Sequence, residues 1–95
     1  MAIAVQVDLK GATLEQYDQL VQKMGFTPQG SGDPRMLFHW VTKTADGVRA
    51  TDVWETREAF EKFAQEKIGP LSQAAGITSP PEVTFFEVHS YLKAG

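Results

Sequence analysis

Two segments rich in β-branched and aromatic residues flank the tripeptide Ala45-Asp46-Gly47. The segments span residues 36–44 and 48–55, and each is long enough to form a strand. Asp-Gly readily adopts the positive φ angles of a tight hairpin turn. We therefore predict two antiparallel strands joined at this turn.

The turn also predicts the register of the hairpin. If the loop is the four residues 44–47, then His39 lies opposite Asp52, and Leu37 lies opposite Trp54. Because alternate residues of a strand point to opposite faces, one face carries Leu37, His39, Val41, Ala50, Asp52 and Trp54. The other face carries Phe38, Trp40, Thr51 and Val53, and we expect Phe38 and Trp40 to pack in the core under the helices. A slip of one residue would exchange the faces of Phe38 and Trp40 relative to Asp52 and Trp54.

Strand and helix patterns alternate along the remainder of the chain. A strand is predicted over 2–9, since residues 3, 5, 7 and 9 are apolar. Thr13 and Gln16 form a capping-box pattern for a helix over 14–24, which Gly25 ends. Thr56 caps a second helix, and Gly69-Pro70 is expected to break or kink it. Residues 71–75 are expected to recover one or two helical turns, and a last strand is predicted over 82–92.

The predicted order of elements is β-α-β-β-α-β. This order indicates an α+β, ferredoxin-like fold with a four-stranded antiparallel sheet and both helices on one face. The length of 95 residues suits one domain over 1–95. A chain this short gains stability if it buries a second apolar face, so a homodimer is expected.

The predicted last strand also divides its side chains between two faces. Phe86, Val88 and Leu92 are expected under the helices, and the opposite face would carry Phe85, Glu87, His89 and Tyr91. Together with the hairpin, that second face would have aromatic walls and few polar groups, as small-molecule sites do. The loop over 25–35 is rich in glycine and proline and is a candidate lid for this pocket.

Composition excludes several classes of function. The net charge is −3 and the basic residues are scattered, so neither nucleic acid nor a membrane is an expected partner. The chain has no cysteine, which excludes disulfides, thiolate metal sites and a cysteine nucleophile. The first residues read as a strand and not as a signal peptide, so a cytoplasmic location is expected.

The sequence resembles the dimeric α+β barrel proteins, and among them the small antibiotic-biosynthesis-monooxygenase-like domains. The segments that carry the resemblance are 37–40, 52–56, 58–63, 69–71 and 87–89. The resemblance implies a homodimer whose two sheets close a barrel around a hydrophobic pocket, with a last strand that often crosses to the partner subunit. Members of this group include cofactor-free monooxygenases that oxidise aromatic phenols or quinols, polyketide cyclases, haem-degrading enzymes and proteins without an assigned activity. The haem-degrading members hold iron through a histidine on a helix, whereas both histidines of this chain lie in predicted strands.

These observations give a candidate site. His39 is the expected catalytic base with Asp52 as its orienting carboxylate, and His89 is the second candidate. Trp54 and Tyr91 would position a flat hydrophobic or aromatic substrate. The predicted substrate-binding residues are Trp54, Tyr91, Phe85, Leu37, Val41 and Glu87. We expect neither a cofactor nor a metal.

A structural explanation of the same residues stays open. A cross-strand polar pair such as His39 and Asp52 would also suit a dimer interface, and Trp54 and Tyr91 would also suit a packed core. The alternative function is therefore a ligand-binding or interaction domain of this fold without catalytic activity.

Overall fold

The computed structural model describes residues 2–27, 30 and 32–92, and it contains the predicted β-α-β-β-α-β order. Both predicted helix regions and all four predicted strands are present, so the predicted fold class is confirmed. Within the described residues, no helix is both long enough and apolar enough to cross a bilayer. The elements are β1 (Ile3–Lys10), α1 (Leu14–Met24), β2 (Met36–Thr44), β3 (Gly47–Trp54), α2 (Arg57–Phe63), α3 (Gly69–Ala74) and β4 (Glu82–Glu87).

The four strands form one antiparallel sheet in the order β2-β3-β1-β4. The predicted hairpin register is confirmed, because His39 pairs with Asp52. An irregularity between Met36 and Phe38 shifts the pairing beyond that point. Met36 therefore lies opposite Trp54, and the predicted pairing of Leu37 with Trp54 is wrong.

Helix α1 has the predicted bounds and the predicted caps. The Thr13 side chain accepts a hydrogen bond from the Gln16 backbone N–H at 3.1 Å, and the Gln16 side chain accepts one from the Thr13 N–H at 3.0 Å. Each bond satisfies a backbone donor that the first helical turn leaves free. Gly25 ends the helix with a φ of 88°, a conformation that glycine adopts without a steric penalty.

At Gly69-Pro70, where a break or kink was predicted, the helix is distorted but the chain stays helical. Residues 64–68 form a π turn that joins α2 to α3, and Gly69 donates its backbone N–H to the Ala64 carbonyl. Proline has no N–H, and its ring clashes with the carbonyl four residues earlier in a regular α-helix. A wider π turn relieves this conflict, so the chain remains helical through Pro70.

The predicted assignment of the two sheet faces is wrong for the hairpin and for β4. The side chains of Val5 and Val7 on central strand β1 are buried, and the register places them beside Asp52 and Ala50. Because all strands share this face, the set with His39 and Trp54 lies under the helices. Phe38 and Trp40 lie on the open face and are 63% and 49% exposed.

The same reversal applies to β4. Phe85 packs against Phe60 of α2 with ring centres 5.7 Å apart, whereas Phe86 lies on the open face and is 51% exposed. The strand ends at Glu87 and not at Leu92. In the described part of the chain its one neighbour is β1, which begins at Ile3, so residues 89–92 have no strand to pair with after the Val88-to-Ala2 backbone bond.

The open face is apolar at one end and polar at the other. One row across the four strands consists of Phe86, Ala4, Val53 and Phe38, and the next consists of Thr84, Gln6, Thr51 and Trp40. At the polar end, Arg49 Nε lies 2.7 Å from Asp8 Oδ1, and Lys10 Nζ lies 3.1 Å from Glu82 Oε1.

Candidate functional site

Four side chains meet between helix α1 and the helix-covered face of the sheet. Tyr17 comes from α1, His39 from edge strand β2, and Asp52 and Trp54 from β3. The hairpin register brings His39 to Asp52. The two-residue repeat of a strand places Asp52 and Trp54 on the same face. We call these four residues the Tyr17–Trp54 network.

Asp52 is the centre of the network. His39 Nδ1 contacts Asp52 Oδ1, and Trp54 Nε1–H donates to Asp52 Oδ2 at 3.1 Å. Only 6% of the Asp52 side chain is exposed. A buried carboxylate is costly unless both oxygens have partners, and His39 and Trp54 supply them.

The contact with Asp52 determines the tautomer of His39. An ionised carboxylate only accepts hydrogen bonds, so Nδ1 of His39 carries the proton. Nε2 is then free to accept a hydrogen bond when the ring is neutral. The Tyr17 hydroxyl lies 2.5 Å from Nε2 and donates to it.

The environment of Tyr17 favours its neutral form. Burial raises the pKa of the Tyr17 hydroxyl well above its usual range, and the negative charges of Asp52 and Asp18 raise it further. Tyr17 therefore keeps its proton at neutral pH. It can donate a hydrogen bond to His39 and remain a neutral phenol.

Solvent reaches the network at His39. The His39 side chain is 29% exposed, because β2 is an edge strand. Trp54 is fully buried. It packs against Phe60 and Phe63, with ring centres 5.8 Å and 5.0 Å away. The network therefore has one end in the core and one side near the surface.

Not all of the predicted site residues come together. Val41 shares the face of His39, and Leu37 lies at the irregularity of β2. Phe85 packs on Phe60, and the guanidinium of Arg57 lies 4.0 Å from the centre of the Phe85 ring. The pairing of Ile3 with Glu87 in β4 and with Trp54 in β3 places Glu87 on the helix-covered face.

His89 and Tyr91 lie beyond β4, at the opposite edge of the sheet from His39. Three strand spacings, roughly 14 Å, separate the two edges. The expected convergence of His89 with His39 and Asp52 is therefore not found within one chain. Within the described residues, no group of three or more histidine and acidic side chains could hold a metal ion.

The predicted lid is described only in part. Pro28, Gln29 and Ser31 of the loop over 25–35 lie outside the described residues. At the end of the loop, Arg35 Nη2 lies 2.8 Å from Asp33 Oδ2. This ion pair holds the pKa of the Asp33 carboxyl below its usual value, chiefly through the side-chain hydrogen bond with Arg35.

Tyr17 was not among the site residues predicted from the sequence. The helical repeat of residues 14, 17, 20, 21 and 24 already placed it on the buried side of α1. A hydroxyl on a buried stripe needs a hydrogen-bond partner. That requirement was the available signal, but the partner itself depends on how α1 lies across the sheet.

Comparison with known proteins identifies the fold of the chain. The sequence matches no protein-family model. No curated protein matches it significantly. Solved structures, in contrast, match over nearly the whole chain.

Three of these structures are similar to the chain in fold. A variant of SnoaB, a cofactor-independent oxygenase from Streptomyces nogalater, is 18% identical with a TM-score of 0.60, and the match covers 98% of this chain and 97% of that one. A candidate antibiotic biosynthesis monooxygenase from Deinococcus radiodurans is 18% identical with a TM-score of 0.56, over 100% and 99% of the two chains. The monooxygenase from the gene ActVA-Orf6 of Streptomyces coelicolor, in complex with Nanaomycin D, is 19% identical with a TM-score of 0.53, over 99% and 92%. The chain therefore has the four-stranded α+β fold of these antibiotic-biosynthesis-monooxygenase-type proteins, as its sequence resemblance implied.

Proposed function

We propose that this protein is a homodimeric, cofactor-free oxygenase acting on a flat, hydrophobic molecule with an acidic aromatic hydroxyl. The observation that carries the proposal is a buried carboxylate, Asp52, that holds a partly exposed histidine, His39, in one tautomer. Such a pair is the arrangement of an oriented base. The similarity in fold to a cofactor-independent oxygenase supports this choice of reaction class.

The chemistry requires a base and little else from the protein. Removal of the substrate hydroxyl proton gives an electron-rich anion that reduces molecular oxygen directly. One oxygen atom enters the ring as a carbonyl, the other leaves as water, and the phenol becomes a quinone. His39 ends the step as an imidazolium, and the Asp52 charge stabilises it.

A homodimer is part of the proposal. The apolar end of the open face carries Phe38, Trp40 and Phe86, each about half or more exposed. Large exposed apolar surfaces are typical of interaction sites. A second copy of the chain would cover this surface with its own identical face. A cytoplasmic location also remains part of the proposal, since the absence of cysteine suits a reducing compartment.

The test is oxygen consumption with a panel of naphthols and naphthalenediols. The wild-type protein should consume oxygen faster than the buffer blank with at least one of them. His39→Ala should abolish this activity, whereas Lys43→Ala, an exposed position on the same strand, should retain it. Undiminished turnover in His39→Ala would overturn the role of His39 as base.

Native mass spectrometry of the protein as purified from cells tests assembly and ligand together. A dimer with additional mass would support both the proposed interface and the binding of a small molecule, and the added mass would indicate the class of ligand. A monomer at micromolar concentration would contradict the proposed dimer.

One observation favours the alternative of a domain without catalysis. Trp54 is fully buried among Phe60 and Phe63, so the Tyr17–Trp54 network could serve only to tie α1 to the sheet. A depression of about 160 Å³ near the start of α1 is lined by other residues, among them Lys10, Gln16 and Gly76. If no aromatic hydroxyl compound is oxidised or bound, the non-enzymatic alternative replaces the oxygenase.

A further inference from the structure

Both ring nitrogens of His39 are already engaged. Nδ1–H is directed to Asp52 Oδ1, and Nε2 accepts from the Tyr17 hydroxyl. An imidazole has no third site for a proton. A substrate therefore cannot pass its proton to His39 directly while the network is intact.

The donors and acceptors of the network run in one direction. Tyr17 donates to His39, and His39 donates to Asp52, whose second oxygen is occupied by Trp54. The Tyr17 oxygen is different, because a hydroxyl donates once and can accept through its lone pairs. In the part of the chain that the structure describes, no group donates to this oxygen.

The geometry suits movement of a proton between Tyr17 and His39. The two ring planes differ by 9° and their centres are 6.2 Å apart, while Oη and Nε2 are only 2.5 Å apart. Rings joined in this way through their outer atoms lie almost end to end in one plane. The hydroxyl oxygen and Nε2 are therefore the atoms at which the two rings meet, within hydrogen-bond distance of each other.

We propose that Tyr17 is the residue that takes the proton from the substrate, as the last member of a Tyr17–His39–Asp52 proton relay. The inference rests on the proposed function and identifies the group that first receives the substrate proton. The substrate O–H bond breaks as its proton moves to the Tyr17 oxygen, and the Tyr17 proton moves to Nε2 in the same step. The products are the substrate anion, a neutral tyrosine and a His39 imidazolium paired with Asp52. No electrons are transferred in this step.

The surroundings of Tyr17 require both transfers to occur together. A separate tyrosinate would lie in a buried position facing the negative charge of Asp52, and the raised pKa of Tyr17 reflects that cost. Transfer in one step avoids the tyrosinate. A molecule that covers the exposed part of His39 also comes close to the Tyr17 oxygen, which lies beside it.

The first part of the test needs no ligand. Nitrogen NMR of the wild-type protein should show His39 as a neutral ring with its proton on Nδ1 and a hydrogen-bonded Nε2. In Tyr17→Phe the Nε2 signal should move, while the signals of His89, the only other histidine, should stay. A wild-type proton on Nε2 would overturn the relay without any variant.

The second part uses umbelliferone, a flat phenol whose anion absorbs at longer wavelength than its neutral form. At a pH where free umbelliferone is neutral, the wild-type protein and the control Gln19→Ala should bind it as the anion. Tyr17→Phe should bind it in the neutral form, because the remaining ring still covers Nε2 of His39 but has no oxygen to carry the proton. Its turnover of any active substrate should fall about a hundredfold or more, with a much smaller change in KM.

The outcomes separate the relay from the proposed function. If the wild type ionises umbelliferone and Tyr17→Phe does so equally well, the relay is wrong and His39 acts directly. If Tyr17→Phe no longer binds the probe, Tyr17 is a packing residue and the relay is equally overturned. If the wild type neither binds the probe nor oxidises any phenol, the proposed function fails, and the relay fails with it.

Discussion

Among single residues, Asp52 is the one on which the Tyr17–Trp54 network depends. Its two oxygens accept from His39 and Trp54, and it has almost no contact with water. Both partners donate hydrogen bonds, so only a side chain that accepts through both of its terminal atoms can pair with both. This requirement makes the effect of a single substitution predictable.

Asp52→Asn should reverse the direction of the hydrogen bonds. The amide must direct its NH₂ group to either His39 or Trp54. Trp54 can only donate, so the NH₂ group should face His39 Nδ1, and the proton of His39 should move to Nε2. We expect a loss of about 1–3 kcal/mol in the free energy of unfolding, measured by urea denaturation. Nitrogen NMR should show the changed tautomer.

Asp46→Asn is the matched control, because Asn-Gly suits the hairpin turn as well as Asp-Gly does. It should leave both measurements near their wild-type values. An unchanged His39 tautomer in Asp52→Asn would contradict the role of Asp52 as the group that orients His39.

Tyr17 should make the fold sensitive to alkaline pH. Its pKa is raised above the ordinary value of 10.0, so above that pH the folded state holds a proton that the unfolded chain has lost. The stabilisation from Tyr17 is complete below pH 10 and decreases as pH rises, by up to about 1.4 kcal/mol per unit. Urea unfolding at pH ~9 and ~11 should show a steeper loss for wild type than for Tyr17→Phe. Equal losses would show that the Tyr17 hydroxyl is accessible to water.

The contact between His39 and Asp52 could be predicted from the sequence, whereas its extension to Tyr17 could not. A tight Asp-Gly turn fixes which residues of two strands pair, and this is a local property. The position of α1 over the sheet depends on the packing of many side chains. The helical repeat gave the side of α1 on which Tyr17 lies, but not its partner.

At the scale of elements, α1 carries Tyr17 and must begin at the correct residue. The capping box of Thr13 and Gln16 fixes this start. The Gln16 side-chain amide also donates to the Gly76 carbonyl at 3.2 Å, which links the start of α1 to the end of α3. The cap therefore helps to hold Tyr17 in its position over the sheet.

Thr13→Ala should lower the free energy of unfolding by about 1 kcal/mol, because the alanine side chain cannot accept from the Gln16 N–H. Thr13→Ser keeps the hydroxyl and should remain close to wild type. Urea denaturation measures both variants. Equal stability of the alanine and serine variants would show that the cap contributes little.

The reversed sheet faces have a physical explanation at this scale. In β2, Phe38 and Trp40 on one side are as apolar as Leu37 and Val41 on the other, so hydrophobic pattern does not distinguish the two faces. In β3, Arg49 and Thr51 share a side, and their polarity indicated that Val48 and Ala50 face the core. That signal was present, but the large aromatic side chains of β2 suggested the opposite assignment.

For the whole molecule, the two faces of the sheet have different surroundings. One face packs against the helices and contains the Tyr17–Trp54 network. The other face presents aromatic side chains to solvent in the single chain. If a second copy covers them, folding and association are coupled, and stability depends on protein concentration.

Phe38→Glu should abolish that dependence. A carboxylate in the apolar row would be buried without a partner in the dimer. We expect the midpoint of thermal unfolding to rise with concentration for wild type and to be constant for Phe38→Glu. Thr42→Glu, at the polar end of the same face, is the control and should behave as the wild type does. A concentration-independent midpoint in the wild type would contradict a dimer.

The two tryptophans of the chain lie on opposite sides of the sheet. Trp54 is buried beside Asp52, and Trp40 is half exposed on the open face. Their fluorescence therefore reports separately on ionisation within the Tyr17–Trp54 network and on association of two copies. In a Trp40→Phe variant, emission comes from Trp54 alone and follows the ionisation of its neighbours. In the intact protein, the long-wavelength part of the emission comes from Trp40 and should shift to the blue as copies associate. The fold thus carries one optical reporter for chemistry and another for assembly.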